Sequence, residues 1–158
     1  MIEHPFGVTI FSDDVRQEVS GKISIIGVYQ NRLIIEGKPP QVLPKLAFSF
    51  FFVIPAAIDF KQGAIRVFSE ASGQREIVLD ETFSPPSKEE MGSATFFRIV
   101  WSTIVSPFMV IHPLKLRARA LLDDVEIPAG VLEISFTDNN TSGSDSSLPE
   151  STESPSIL

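Results

Sequence analysis

Residues 12 to 31, "SDDVRQEVSGKISIIGVYQN", gather the side chains of this chain most capable of chemistry: Asp13, Asp14, Arg16, Glu18, the Gly21-Lys22 pair and Tyr29. A phosphate-binding loop needs a glycine five places before the Gly-Lys pair and a Ser or Thr after it, so that backbone N–H groups wrap phosphate and a hydroxyl binds magnesium. Those positions hold Arg16 and Ile23, and Ser20-Gly21 reads instead as a tight turn. Calcium is the second chemistry to weigh, with Asp13, Asp14 and Glu18 joined by Asp59, the Asp80/Glu81 pair and the Asp123/Asp124 pair. It takes about six to eight oxygens from loops that bend around it. Adjacent carboxylates in a strand point to opposite faces, and no D-x-D-x-D spacing is present, so no metal ligand and no cofactor is assigned.

The histidines are His4 and His112. His112 sits between the apolar "FMVI" and Pro113, the setting of a strand-end histidine, and the sequence announces no partners for a triad or a zinc site. G-x-S-x-G, H-E-x-x-H and G-x-G-x-x-G are absent. No catalytic residue is assigned. Lys115, Arg117 and Arg119 make the one basic row, able to grip a phosphate or an acidic partner. They are the candidate partner-binding residues, weighed against a solvated face that Glu133 neutralises across the ladder.

The elements that would position these groups are short apolar runs rich in Val, Ile, Phe and Thr, bounded by Gly, Pro, Ser, Asn or Asp, which is the strand-and-turn pattern. Strands are expected near 5 to 12, 22 to 30, 32 to 36, 45 to 54, 64 to 70, 75 to 83, 94 to 104, 108 to 121 with a break at Pro113, and 130 to 137. In "PLKLRARALLDD", Leu114, Leu116, Ala118 and Ala120 share one face and the basic row the other. That strand should pair antiparallel with 130 to 137 through "DDVEIPAG". "LAFSFFFVI" is apolar on both faces and reads as a central strand, with Phe97, Ile99 and Trp101 as core partners, and "ASGQ" at 71 to 74 closes a hairpin. Two antiparallel sheets packed face to face, a β-sandwich of about eight or nine strands, fit this pattern.

Of the 158 residues, 43% are hydrophobic and 21% charged, and the formal charge is -7. Residues 138 to 158 hold Asp138, Asp145, Glu150 and Glu153 with no Lys or Arg. The rest is therefore nearly balanced and lacks the cationic surface that nucleic acid requires. This acidic, Ser-rich stretch cannot bury enough surface to order itself, which divides the chain into a sandwich domain over 1–137 and a disordered tail over 138–158. The terminal "SIL" is too short to specify a peptide-binding partner. Cysteine is absent, which excludes disulfides and thiolate chemistry and suits a reducing compartment. "MIEHPFGVTIF" lacks the basic n-region of a signal peptide, and the apolar windows are too short or too interrupted to span a bilayer. The expectation is a soluble, cytoplasmic protein with no membrane and no nucleic-acid partner.

The stretch "FSDDVRQEVSGKISIIGVYQNRLI", continued by "KPPQVLPKLAFSFFFVIP" and "GAIRVFSEASGQREI", resembles a family of small uncharacterised bacterial and prophage-encoded proteins. Their signature is an apolar strand, a "DDVR" type segment, a turn, and a Gly-Lys followed by a run like "ISIIGVY". The resemblance covers the first half of the chain and implies an immunoglobulin-like or C2-like β-sandwich. It carries no activity and no site residue over to this sequence, whose acidic tail departs from the family pattern.

The functional expectation is a non-catalytic interaction module that binds a protein partner through loops or a sheet edge. A small-ligand or calcium-binding sandwich, or a carboxylate enzyme with its site on the loops, is the alternative. The two-sided apolar segment at 46 to 54 and an exposed edge strand also suit a homodimer. In the opening stretch, "EVSG" should turn and "KISIIGVY" return. Asp14 and Arg16 pair if the strand stays regular, and Asp14 meets Glu18 if residues 13 to 18 form a helical turn instead.

Overall fold

In the computed structural model, which describes residues 3–137 apart from the side chain of Lys88, strands dominate as their composition requires. They are β1 (Phe6–Gln17), β2 (Ile23–Tyr29), β3 (Arg32–Glu36), β4 (Gln41–Leu43), β5 (Leu46–Pro55), β6 (Gly63–Ala71), β7 (Gln74–Phe83), β8 (Phe96–Val105), β9 (Phe108–Val110), β10 (Leu114–Leu122) and β11 (Val125–Thr137). One short helix, α1 (Lys88–Met91), interrupts them. The acidic segment over 138–158, expected to be disordered, lies outside the described residues.

Two sheets face each other across one core. The first has the order β2-β1-β5-β8 and the second β3-β11-β10-β6-β7, with β4 and β9 pairing as a small ribbon. Phe48, Phe50, Phe52 and Ile54 project inward from β5, and Leu116, Ala118, Ala120, Leu132 and Ile134 meet them from the opposite sheet; all are fully buried. Fully burying a Phe, Leu or Ile side chain stabilises the fold by about 1.5–3 kcal/mol. The sheets approach most closely where β1 passes β11, at Gly130: a Cβ there would stand 3.2 Å from the Thr9 carbonyl oxygen.

The all-β sandwich is as expected, with differences in detail. "SDDVR" runs past the expected end of the first strand near 12 and still belongs to that strand. It continues β1 to Gln17 and pairs in register with β2, Asp14 opposite Ile26 and Arg16 opposite Ser24, so residues 13 to 18 form no helical turn. The reversal falls at Glu18–Lys22, where Glu18 N donates to the Lys22 carbonyl at 2.8 Å and Gly21 takes a φ of 77°. "DDVEIPAG" is not a connecting loop: only Asp123-Asp124 turns, and β11 begins at Val125. Pro128 is accommodated because the register shifts there, Arg119 facing Pro128 and Ala118 facing Gly130; a bulge needs no N–H from the proline. The second sheet is mixed, since β3 runs parallel to β11. The expected 108 to 121 strand divides at Pro113, and β4, hidden between prolines in "KPPQVLP", finds its partner in β9. "ASGQ" does close a hairpin, with Ser72 and Gly73 both at positive φ (48° and 79°), as a two-residue turn between twisted strands demands.

Candidate functional site

Alternation gives each sheet an outer face, and the two outer faces differ in chemistry. On the five-stranded sheet the outward positions of β10 carry Lys115, Arg117 and Arg119, as their spacing dictates. Arg117 Nε donates to Glu70, and Glu126 lies 3.8 Å from Arg119 and 3.6 Å from Arg75. Arg75 also reaches Glu70 at 3.9 Å and lays its guanidinium 3.4 Å above the Phe68 ring. Arg66 pairs with Asp80 at 2.8 Å. Glu133 stands opposite Lys115 in the ladder, yet its ion pair is with Arg32, at 3.8 Å. Arg117 and Arg119 are thus neutralised by Glu70 and Glu126 rather than by Glu133, and within the described residues Lys115 has no ion pair. Half-exposed pairs of this kind each contribute about 0–1 kcal/mol; their consequence here is a face on which Arg66, Arg75, Arg117 and Arg119 already have carboxylate partners.

The outer face of the four-stranded sheet is apolar. The register sets it out in rows: Val28–Ser12–Ala47–Ile104 across all four strands, then Ile10–Ser49–Ser102, Val8–Phe51–Val100 and Phe6–Val53–Arg98. Ser12, Ala47 and Ser49 form a floor with no exposed surface, whereas Val8 and Val28 (55%), Val100 (51%), Phe6 (50%), Ile26 (41%) and Ile104 (39%) stand exposed around it. The floor hydroxyls find partners inside the sheet: Ser102 Oγ donates to Ser49 Oγ at 3.0 Å and Ser12 Oγ to the Asp14 carbonyl at 3.2 Å. At one end Asp14 accepts from Lys45 at 2.8 Å and Arg16 at 3.2 Å. The Lys45 hydrogen bond, reinforced by Arg16, holds the Asp14 carboxyl below the usual carboxylate range.

The remaining carboxylates have separate local duties. Asp13, on the inward side of β1, accepts a hydrogen bond from the Tyr29 hydroxyl. Gly27 (φ 68°) makes room for it, since an added Cβ would collide with the Asp13 carboxylate. Burial first, and the bond to Asp13 second, push the Tyr29 phenol up to about 12. Asp123 accepts from the backbone N–H of Lys61 and of Gln62, both at 3.0 Å. Asp14 therefore sits beside Lys45, before the start of β5, and Asp123 beside Lys61, beyond its end. At about 3.3 Å per residue the ten residues of β5 hold the two aspartate pairs roughly 30 Å apart, so they share no site. Within the described residues no three His, Asp or Glu side chains converge as metal ligands.

Open cavities include two away from these groups. One of about 290 Å³ lies between Gln74, Glu76, Met109 and His112. The other, about 430 Å³, is lined by Phe60, Pro85, Pro86, Met91 and Phe97, with Asp59 its one carboxylate. Ser69, Glu76 and His112 line the first, but no hydrogen bond joins them, and within the described residues the second brings no second carboxylate to Asp59.

Sequence reasoning missed the apolar outer face. Its signal was that "FGVTIF", "ISIIGVY", "LAFSFFFVI" and "FFRIVWSTIV" are apolar on both alternations, and that these four strands form one sheet. No helix within the described residues is long and apolar enough to cross a membrane. The chain matches no protein-family model and no curated protein.

Proposed function

We propose that this chain is a non-catalytic interaction module that binds a protein partner through the outer face of its four-stranded sheet. The observation that carries the reading is the contrast between the two outer faces: one laced with matched ion pairs, the other apolar over four strands with its hydroxyls bonded inside the sheet. Contiguous apolar surface on this scale marks docking sites in soluble proteins. A cytoplasmic setting and kinship with the small bacterial and prophage proteins belong to the same reading; the lack of cysteine suits the first and "DDVRQEVSGKISIIGVY" the second.

Docking through Lys115, Arg117 and Arg119 draws less support, because Arg117 and Arg119 already have carboxylate partners. Calcium, a small ligand or carboxylate chemistry draws less still, because Asp13, Asp14 and Asp123 are each engaged in a different neighbourhood.

Affinity capture tests the reading, with the wild-type chain, the double variant Val8→Lys/Val100→Lys and the variant Arg117→Ala/Arg119→Ala as baits. A partner held by the wild type and by the arginine variant, and lost from the valine variant, is the expected result. A partner lost from the arginine variant alone would contradict it.

A further inference from the structure

We infer that the protein covering this apolar face is a second copy of the same chain, the two four-stranded sheets stacking face to face about a two-fold axis. The inference rests on the docking reading above and commits it to one occupant.

Size is the first argument. Successive rows advance by two residues, about 6.7 Å, and neighbouring strands lie about 4.8 Å apart. The field common to β1, β5 and β8, from the Phe6 row to the Ser12 row, is thus four rows by three strands, roughly 27 Å by 14 Å or about 390 Å² on each copy. Pairing two such fields covers about 780 Å², the size of a weak, reversible interface.

Relief is the second. Along the strand direction the projecting row Val8–Phe51–Val100 lies directly beside the low row that contains Ser49 and Ser102. An isologous interface has to be complementary to itself. A two-fold axis lying across the strands between these rows sets the ridge of each copy over the floor of the other, at the separation of about 10 Å usual for stacked sheets.

Charge is the third. Identical faces meet without repulsion only if like charges do not oppose one another. Here the Val8, Ile10 and Ser12 rows hold no charged residue, the axis sets Arg98 of the Phe6 row over the Ser12–Ala47–Ile104 row of the other copy and not over its own mate, and Asp14 with Lys45 and Arg16 falls outside the overlap.

Sedimentation velocity on the full chain, from about 1 to 100 μM, tests the inference in the range where such an interface would associate. The wild type is expected to move toward twice the chain mass as concentration rises. Val8→Lys/Val100→Lys should raise the dissociation constant at least tenfold, because each lysine is then pressed against the uncharged Ile10–Ser49–Ser102 row of the other copy. Ile77→Lys, an equally exposed position on the opposite sheet, should leave it unchanged. Far-UV circular dichroism checks that the variants fold, and Ile104→Lys replaces the double variant if that one does not. A wild type that stays monomeric at the highest concentration, a dimer indifferent to the valine changes, or one broken by Ile77→Lys overturns the inference. A monomer that still captures a protein through Val8 and Val100 overturns the second copy alone and leaves the docking reading intact. Loss of both overturns both.

Discussion

Ser102 donates a 3.0 Å hydrogen bond to Ser49 across β8 and β5, on the side of the four-stranded sheet that faces away from the core. Ser49 has no exposed surface, so this bond accounts for a hydroxyl that water does not reach. Truncating one member therefore leaves the other unsatisfied. Ser102→Ala strands the Ser49 hydroxyl and is expected to cost about 1–3 kcal/mol, whereas Ser49→Ala/Ser102→Ala should cost less than the two single changes together. Urea unfolding of the four chains measures the coupling; additive losses would mean that the pair is incidental.

Tyr29 is the chain's single tyrosine, so its phenolate absorbance titrates one site. The folded midpoint is expected at about 12 against 10.0 for the free side chain. Because the folded value is raised, the neutral phenol favours folding. That contribution is complete below the unfolded value of 10.0 and is lost as pH rises through about 12. Asp13→Asn removes the neighbouring charge but not the burial, and should bring the midpoint only part of the way down. A wild-type midpoint at 10.0 would contradict this geometry.

Asp123 joins the β10–β11 turn to the segment before β6 through the Lys61 and Gln62 N–H groups, while holding a φ of 51°. Asp123→Ala loses the acceptor and keeps the left-handed backbone, an expected cost of about 1–3 kcal/mol. Asp123→Asn retains one oxygen and tolerates that conformation, so its melting temperature should fall by less. Equal losses would show that the backbone conformation alone sets the cost.

Glu126 bridges Arg75 and Arg119 at 3.6 and 3.8 Å. Glu126→Gln should change stability by less than about 1 kcal/mol, and by less again at high salt. A larger, salt-independent loss would make the ion-paired face a structural element rather than a solvated one.

The sandwich was legible because strand periodicity is local: Leu114, Leu116, Ala118 and Ala120 against Lys115, Arg117 and Arg119 can be read from seven residues alone. The Asp14–Arg16 pair was legible for the same reason. What escaped depended on residues distant in sequence. Glu70, rather than Glu133, neutralises Arg117 because β6 lies beside β10, and β4 exists because β9 comes to meet it. Two-sided strands were visible singly, yet burial inside a sandwich explains one such strand as well as docking does. Only the order β2-β1-β5-β8 collects the second apolar faces of all four into one surface.

The docking face is tested most directly by methyl NMR of the full chain, diluted from high to low concentration and then titrated with any captured partner. The account predicts that the methyl groups of Val8, Val28, Val100 and Ile104 shift together while those of Ile77 and Val131, on the opposite outer face, stay fixed. Shifts centred on Ile77 and Val131, or none at Val8 and Val100 under either condition, would contradict it.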